Sequence, residues 1–129
     1  MTSRRAPAPT TIALAAVADL VLVLVFVLIG RGSHDEGFSI AGSLNTAWPF
    51  VVGLVTGWLV ARAWRFPRGV THPGVVIWAS TAVVGVALRA ISGQGVAVSF
   101  MIVTAIVLAV FLLGWRLIAA VVSRRRARR

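Results

Sequence analysis

The sequence predicts an all-α polytopic membrane protein, with four transmembrane helices arranged as two hairpins and both termini in the cytoplasm. Three observations point there. The 129-residue chain is 59% hydrophobic with a mean hydropathy of +0.95, which leaves too little polar surface to coat a soluble core. Its apolar residues gather into four runs, and at about 1.5 Å per residue each is long enough to cross a bilayer core of about 30 Å. The 13 basic residues, all arginines, fall between these runs and at their ends.

Residues 1–10 form a basic leader, expected to be extended and cytoplasmic, in which Arg4 and Arg5 precede the stiff Ala6-Pro7-Ala8-Pro9. Ser3-Arg4-Arg5 is similar to a twin-arginine export signal. Prolines stand where that signal needs bulky apolar residues, and no small-x-small site closes the run, so an uncleaved first span is expected.

The first span, residues 11–30, carries a single acid, Asp19. An acid near the centre of a lipid-facing helix costs about 2.5–3.5 kcal/mol on insertion scales. The face holding Asp19 with Ile12, Ala15, Ala16, Leu22, Val23 and Phe26 is therefore expected to turn toward protein. Leu14, Val17, Val21, Leu24, Val25 and Leu28 then face lipid. The following loop, GRGSHDEGFS, crowds His34, Asp35 and Glu36 beside Arg31.

The second span, residues 40–61, contains Trp48-Pro49, Gly53-x-x-x-Gly57 and Trp58. A proline inside a helix frees the carbonyl four residues earlier, here that of Asn45, and kinks the helix. Gly42, Asn45, Pro49, Gly53 and Thr56 align on one face, expected to point into the bundle. The next loop carries Arg62, Arg65, Arg68 and His72 without an acid.

The third span, residues 73–91, opens on Pro73, which a helix start tolerates. Its inward face is expected to be Trp78, Ala82, Gly85 and Arg89. Ser92-Gly93-Gln94-Gly95 reads as a tight turn, making spans three and four neighbours. The fourth span, residues 96–118, belongs to a run longer than a bilayer needs. It is expected to emerge around Arg116, ahead of the cytoplasmic arginine-rich tail, residues 123–129.

Orientation follows from the arginines, because positively charged loops stay cytoplasmic. With the N-terminus inside, 11 arginines lie on the cytoplasmic side and only Arg31 and Arg89 on the other. That distribution places the chain in the inner (plasma) membrane with an outward acidic loop. It also accounts for a net charge of +10 without nucleic acid, the tail instead contacting anionic lipid. Without cysteine there is no disulfide framework and no thiolate metal site. His34 and His72 are expected on opposite sides of the membrane, so no metal site is predicted.

An internal echo runs through the chain. Arg31 precedes Gly57-Trp58 by nearly the interval at which Arg89 precedes Gly114-Trp115, as in a parallel repeat about the membrane normal.

Two constellations could carry chemistry. At the outer end, Arg31, Arg89, Asn45, Trp48 and His34 could hold a carboxylate or phosphate through bidentate hydrogen bonds; alternatively Arg89 anchors on Asp35 or Glu36 at the interface. Deeper, Asp19 is expected to bond Thr56, Ser80 or Thr81, or to keep its proton, either as a coupling group or as helix glue. Arg89 is too far along the axis for an unstrained pair with it. Gly53 and Gly57 are expected at a close helix contact, within the bundle or between two copies. No nucleophile–base pair, phosphate loop or metal-ligand cluster is legible, so neither an enzyme nor a cofactor is expected.

Asp19, Gly30-Arg31-x-x-His34, Trp48-Pro49-Phe50, Gly57-Trp58, Arg89 and Trp115-Arg116 together resemble a family of small prokaryotic four-helix membrane proteins of unknown function, DUF family 3054. The resemblance covers all but residues 1–9 and 123–129. It implies the fold and the choice of residues, and transfers no mechanism. The expected function is a small oligomeric transporter or channel-like unit, with a homodimer as its assembly, for an anionic or proton-coupled solute. The alternative is a non-catalytic accessory or scaffold protein that binds a partner or lipid.

Overall fold

The computed structural model describes residues 6–33 and 39–128. It contains four long helices, α1 (Pro9–Ser33), α2 (Ile40–Ala61), α3 (Val76–Ile91) and α4 (Val98–Ala127), and no strand among the described residues. Four segments are long and apolar enough to cross a bilayer: Pro9–Arg31, Ile40–Ala61, Val70–Ile91 and Val98–Ala127. The chain is thus a multi-pass membrane protein by length and composition. The end at which α1 leads to α2 and α3 to α4 is called upper here, and the opposite end lower.

Local chemistry explains the helix ends. Ser39 caps α2, extended at φ −125° and ψ 147°, with its Oγ accepting the Gly42 N–H, as N-cap serines do. At the other end Arg62 takes the left-handed conformation (φ 52°, ψ 51°) and its N–H closes back onto the last turn. A 3-10 turn, Ala63–Arg65, and a π-type turn, Val70–Val75, then lead into α3. His72 within the latter is extended (φ −134°, ψ 123°), the conformation that a following proline imposes. The helical run resumes at Pro73, where the sequence places it.

α4 continues unbroken past Arg116 to Ala127, so most of the arginine-rich tail is helical, with residues 121–128 all exposed. Arginine is a good helix former, and cations in the last turn complement the helix dipole.

The closest packing joins α2 to α3. A Cβ on Gly53 would lie 2.8 Å from the Ser80 carbonyl oxygen, and one on Gly57 would lie 2.9 Å from the Ile77 Cα. The two glycines therefore let backbones meet inside the bundle. Ser80 Oγ donates to the Gly53 carbonyl across this contact at 2.8 Å. Trp78 Nε1 ties α3 to α4 through the Ala105 carbonyl at 2.9 Å.

The core runs along the bundle axis through Val23, Phe26, Phe50, Leu54, Ile77, Leu108 and Leu112. In α1 the buried face is Ala15, Asp19, Val23, Phe26 and Val27, while Leu14, Val17, Val21, Leu24, Val25 and Leu28 are exposed on the lipid side. The other helices are turned from their expected faces. In α2 the buried residues are Ala47, Pro49, Phe50, Gly53, Leu54, Gly57 and Ala61, with Asn45 exposed. In α3 they are Ile77, Thr81 and Gly85, with Trp78 and Ala82 half-buried. Volume decides both cases, because the face that packs holds the glycines and Phe50 rather than the most polar positions.

Candidate functional site

Two polar assemblies stand above and below this core. The lower one is built on Asp19, which is completely buried. Arg116 meets it in a bidentate pair, Nη1 to Oδ1 at 2.8 Å and Nη2 to Oδ2 at 2.6 Å. Trp58 Nε1 donates to Oδ2 and Trp115 Nε1 to Oδ1, each at 2.8 Å. Both oxygens thus receive two donors, and the fork-to-fork geometry is the strongest that an arginine can offer a carboxylate. Arg116, also fully buried, donates through Nε to the Pro67 carbonyl at 3.1 Å and through Nη1 to the Leu112 carbonyl at 2.9 Å. One carboxyl group therefore fastens α1, α2, α4 and the lower loop.

This arrangement corrects the sequence expectation for Asp19. Thr56 and Thr81 do not reach it; each bonds the carbonyl four residues back in its own helix, Val52 at 2.7 Å and Ile77 at 2.7 Å. Ser80 is committed to Gly53. An apolar run ending at Arg116 is long enough for a span, which reads that residue as interfacial, whereas the structure buries it completely. The missed signal lay in the echo, whose two tryptophans, Trp58 and Trp115, arrive at the same carboxylate.

The upper assembly surrounds a cavity of about 400 Å³ between α1, α2, the end of α3 and the start of α4. Arg31, Arg89 and Thr46 line it together with Gly30, Gly95 and the apolar Phe26, Val27, Phe50, Val96, Ala97 and Phe100. Arg31 is 9% exposed, and its Nη1 donates to the Gly42 carbonyl at 3.1 Å and to Thr46 Oγ1 at 2.9 Å. A Cβ on Gly42 would run into this guanidinium, so glycine is what lets the side chain lie flat on α2.

Arg89 is placed by the turn that follows it. Its Nε donates to the Gly95 carbonyl at 3.2 Å, Nη1 to Gln94 Oε1 at 3.4 Å and Nη2 to the Gln94 carbonyl at 3.3 Å. The guanidinium carbon lies 4.5 Å from the centre of the Phe100 ring, within cation–π range. Gln94 is anchored in turn, its Nε2 donating to the Asn45 carbonyl at 3.1 Å. That is the carbonyl which Pro49 leaves without a helical partner. The proline in α2 thus reaches the cavity through Asn45, Gln94 and Arg89.

Phe26 and Phe50 close the cavity at its inner end, and Phe100 forms the wall beside Arg89. Phe26 meets Phe50 edge to face at 5.3 Å between centroids, and Phe100 tilts against Phe50 at 6.3 Å. Phe50 has no exposure and is held from behind by Gly85, where a Cβ would strike its ring.

Of the residues expected at this end, Arg31 and Arg89 share the cavity. Asn45 contributes only its carbonyl, through Gln94, and both its side chain and that of Trp48 are exposed away from the lining. Rotation of α2 puts Thr46 and Phe50 there instead. His34, and the alternative partners Asp35 and Glu36, lie outside the described residues. His72, at the lower end, has its Nε2 3.1 Å from the Ala61 carbonyl.

A family model described as a protein of unknown function, DUF3054, matches residues 16–119, which contain both assemblies. No curated protein and no solved structure matches the chain.

Proposed function

Since the chain belongs to the DUF3054 family, whose description assigns no activity, we propose a function from the upper cavity: the protein takes up an anionic solute there, as a small oligomeric transporter or channel-like unit of the inner membrane. The observation that supports this reading is the meeting of two guanidinium groups, from different helices, in one cavity. Its volume of about 400 Å³ lies within the range of about 300–1,000 Å³ usual for small-ligand pockets. Arginine forks are suited to carboxylate and phosphate oxygens. In this reading Asp19 is the fastening at the base of the bundle rather than a coupling group.

The orientation belongs to the same proposal. Arg62, Arg65, Arg68, Arg124, Arg125, Arg126 and Arg128 are all exposed near the lower end, so the positive-inside rule turns that end, and both termini, toward the cytoplasm and its anionic lipid. The cavity then opens outward. Reporter tags at either terminus are expected to be protected in intact cells; a terminus labelled from outside would reverse the assignment.

The binding claim is tested with purified protein in neutral-lipid nanodiscs, against acetate, inorganic phosphate, decanoate and decyl phosphate. At least one of these is expected to bind the wild type and to bind R31Q/R89Q at least tenfold more weakly, since hydrogen bonds to charged groups contribute about 1.5–3 kcal/mol. Indifference of every anion to both arginines would refute it.

A further inference from the structure

Resting on that reading, we infer that the solute is an anionic amphiphile, an apolar chain bearing a carboxylate or phosphate head, and not a small hydrophilic anion. The argument is one of depth. Phe50 stands ten residues into α2, about 15 Å below the helix start and so near the middle of a bilayer core of about 30 Å. Phe26 lies about 7.5 Å below Arg31 by helix rise. The cavity therefore runs from two guanidiniums at its upper end, that of Arg89 lying against the Phe100 ring, down to the paired rings of Phe26 and Phe50.

A hydrated phosphate or acetate would satisfy the upper part and leave the lower part in contact with nothing. Its hydration water would in turn face Phe26, Val27, Phe50 and Phe100, which offer no hydrogen bonds. A head-and-chain molecule meets both halves at once. Gly30 lines the same space beside α1, and among the described residues a Cβ there would meet no atom within 4 Å.

The chemistry has two sources, a free fatty-acid-like anion or an anionic phospholipid of the bilayer, and the experiment separates them. Labelled decanoate is bound to wild type in phosphatidylcholine nanodiscs, and the specific part is defined against R31Q/R89Q. Affinity is expected to rise about fourfold per methylene from hexanoate to decanoate, in line with the transfer of a CH₂ from water. Decyl phosphate should displace the label, whereas decanol, acetate and inorganic phosphate should not at a hundredfold excess.

Because loss of both arginines could disturb folding, Gly30→Leu supplies a second variant that fills the chain space while keeping both guanidiniums; it should abolish decanoate binding with thermal stability retained. Loss of specific decanoate binding in phosphatidylglycerol nanodiscs would identify the bilayer's own lipid as the occupant, and unchanged binding would identify the free anion. Either result supports the inference. If acetate and phosphate bind as tightly as decanoate and depend on the arginines, anion binding stands and the amphiphile is refuted. If no anion separates wild type from these variants, both fall.

Discussion

Replacing Asp19 and Arg116 together should be no more damaging than replacing either one alone. In Asp19→Asn the amide oxygen can receive one of the two indole donors while its NH2 faces the other, and Arg116 keeps a charge with no counterion at a position of 0% exposure. In Arg116→Met the carboxylate retains Trp58 and Trp115 and loses its cation. Breaking a buried pair from one side costs about 3–5 kcal/mol, so each single change should lower the thermal midpoint by about 10 °C or more at roughly 3–5 °C per kcal/mol for a chain of this size. The double variant carries no unpaired charge at this site, and its loss should stay near that of one single change, a coupling of about 3–5 kcal/mol, the size of one single loss. Reversible unfolding in neutral bicelles measures all four corners of the cycle. Additive losses, agreeing to within about 0.5 kcal/mol, would refute the fastening. An Asp19→Asn protein with wild-type stability but no solute movement would instead return the residue to a coupling role.

Ala at Gly53 or Gly57 must push α3 away from α2, because the obstacles are backbone atoms of Ser80 and Ile77; each should cost about 1–3 kcal/mol, read as a lower unfolding midpoint. Pro49→Ala lets the Asn45 carbonyl rejoin its helix and releases Gln94. The turn that holds Arg89 should loosen, with anion affinity falling several-fold while the unfolding midpoint holds or rises. Thr104 is buried with its hydroxyl unpartnered, so Thr104→Val should be neutral or stabilising by up to about 1–2 kcal/mol in the same unfolding assay.

Fold and membrane character were legible because length and composition alone decide them, and the lipid face of α1 was legible because its leucines and valines sit opposite a lone acid. The inner faces of α2 and α3 were not. There the sequence offers polar and small residues at adjacent angles, and only the fit of Gly53, Gly57 and Gly85 against a specific neighbour chooses between them. The same limit hid Arg116. An arginine late in an over-long apolar run looks like the point of exit, and it becomes a buried partner only once α4 is known to continue to Ala127. The echo spaced by about one hairpin held more than it disclosed: its tryptophans converge on Asp19 and its arginines on one cavity, although neither convergence can be computed from spacing.

The vertical order of these parts constrains how any solute could cross. Between the upper cavity and the lower carboxylate lie Val23, Leu54, Ile77, Leu108 and Leu112, all at most 5% exposed and packed as one cluster, and the polar groups buried beside them are the uncharged hydroxyls of Thr81 and Thr104, which offer a charged species no counterion. A passage through the middle of one copy would have to part this cluster and strip the Asp19–Arg116 pair. An anionic amphiphile has a less costly route, with its chain in lipid and its head following a seam between two copies. The expected outcome is that vesicles reconstituted at one copy each bind decyl phosphate, which stays charged near neutral pH, without moving it, and that movement appears as copy number rises, with a quadratic dependence on protein density at the low end. Flux that is linear in density down to single copies would place the route inside the monomer and refute the seam.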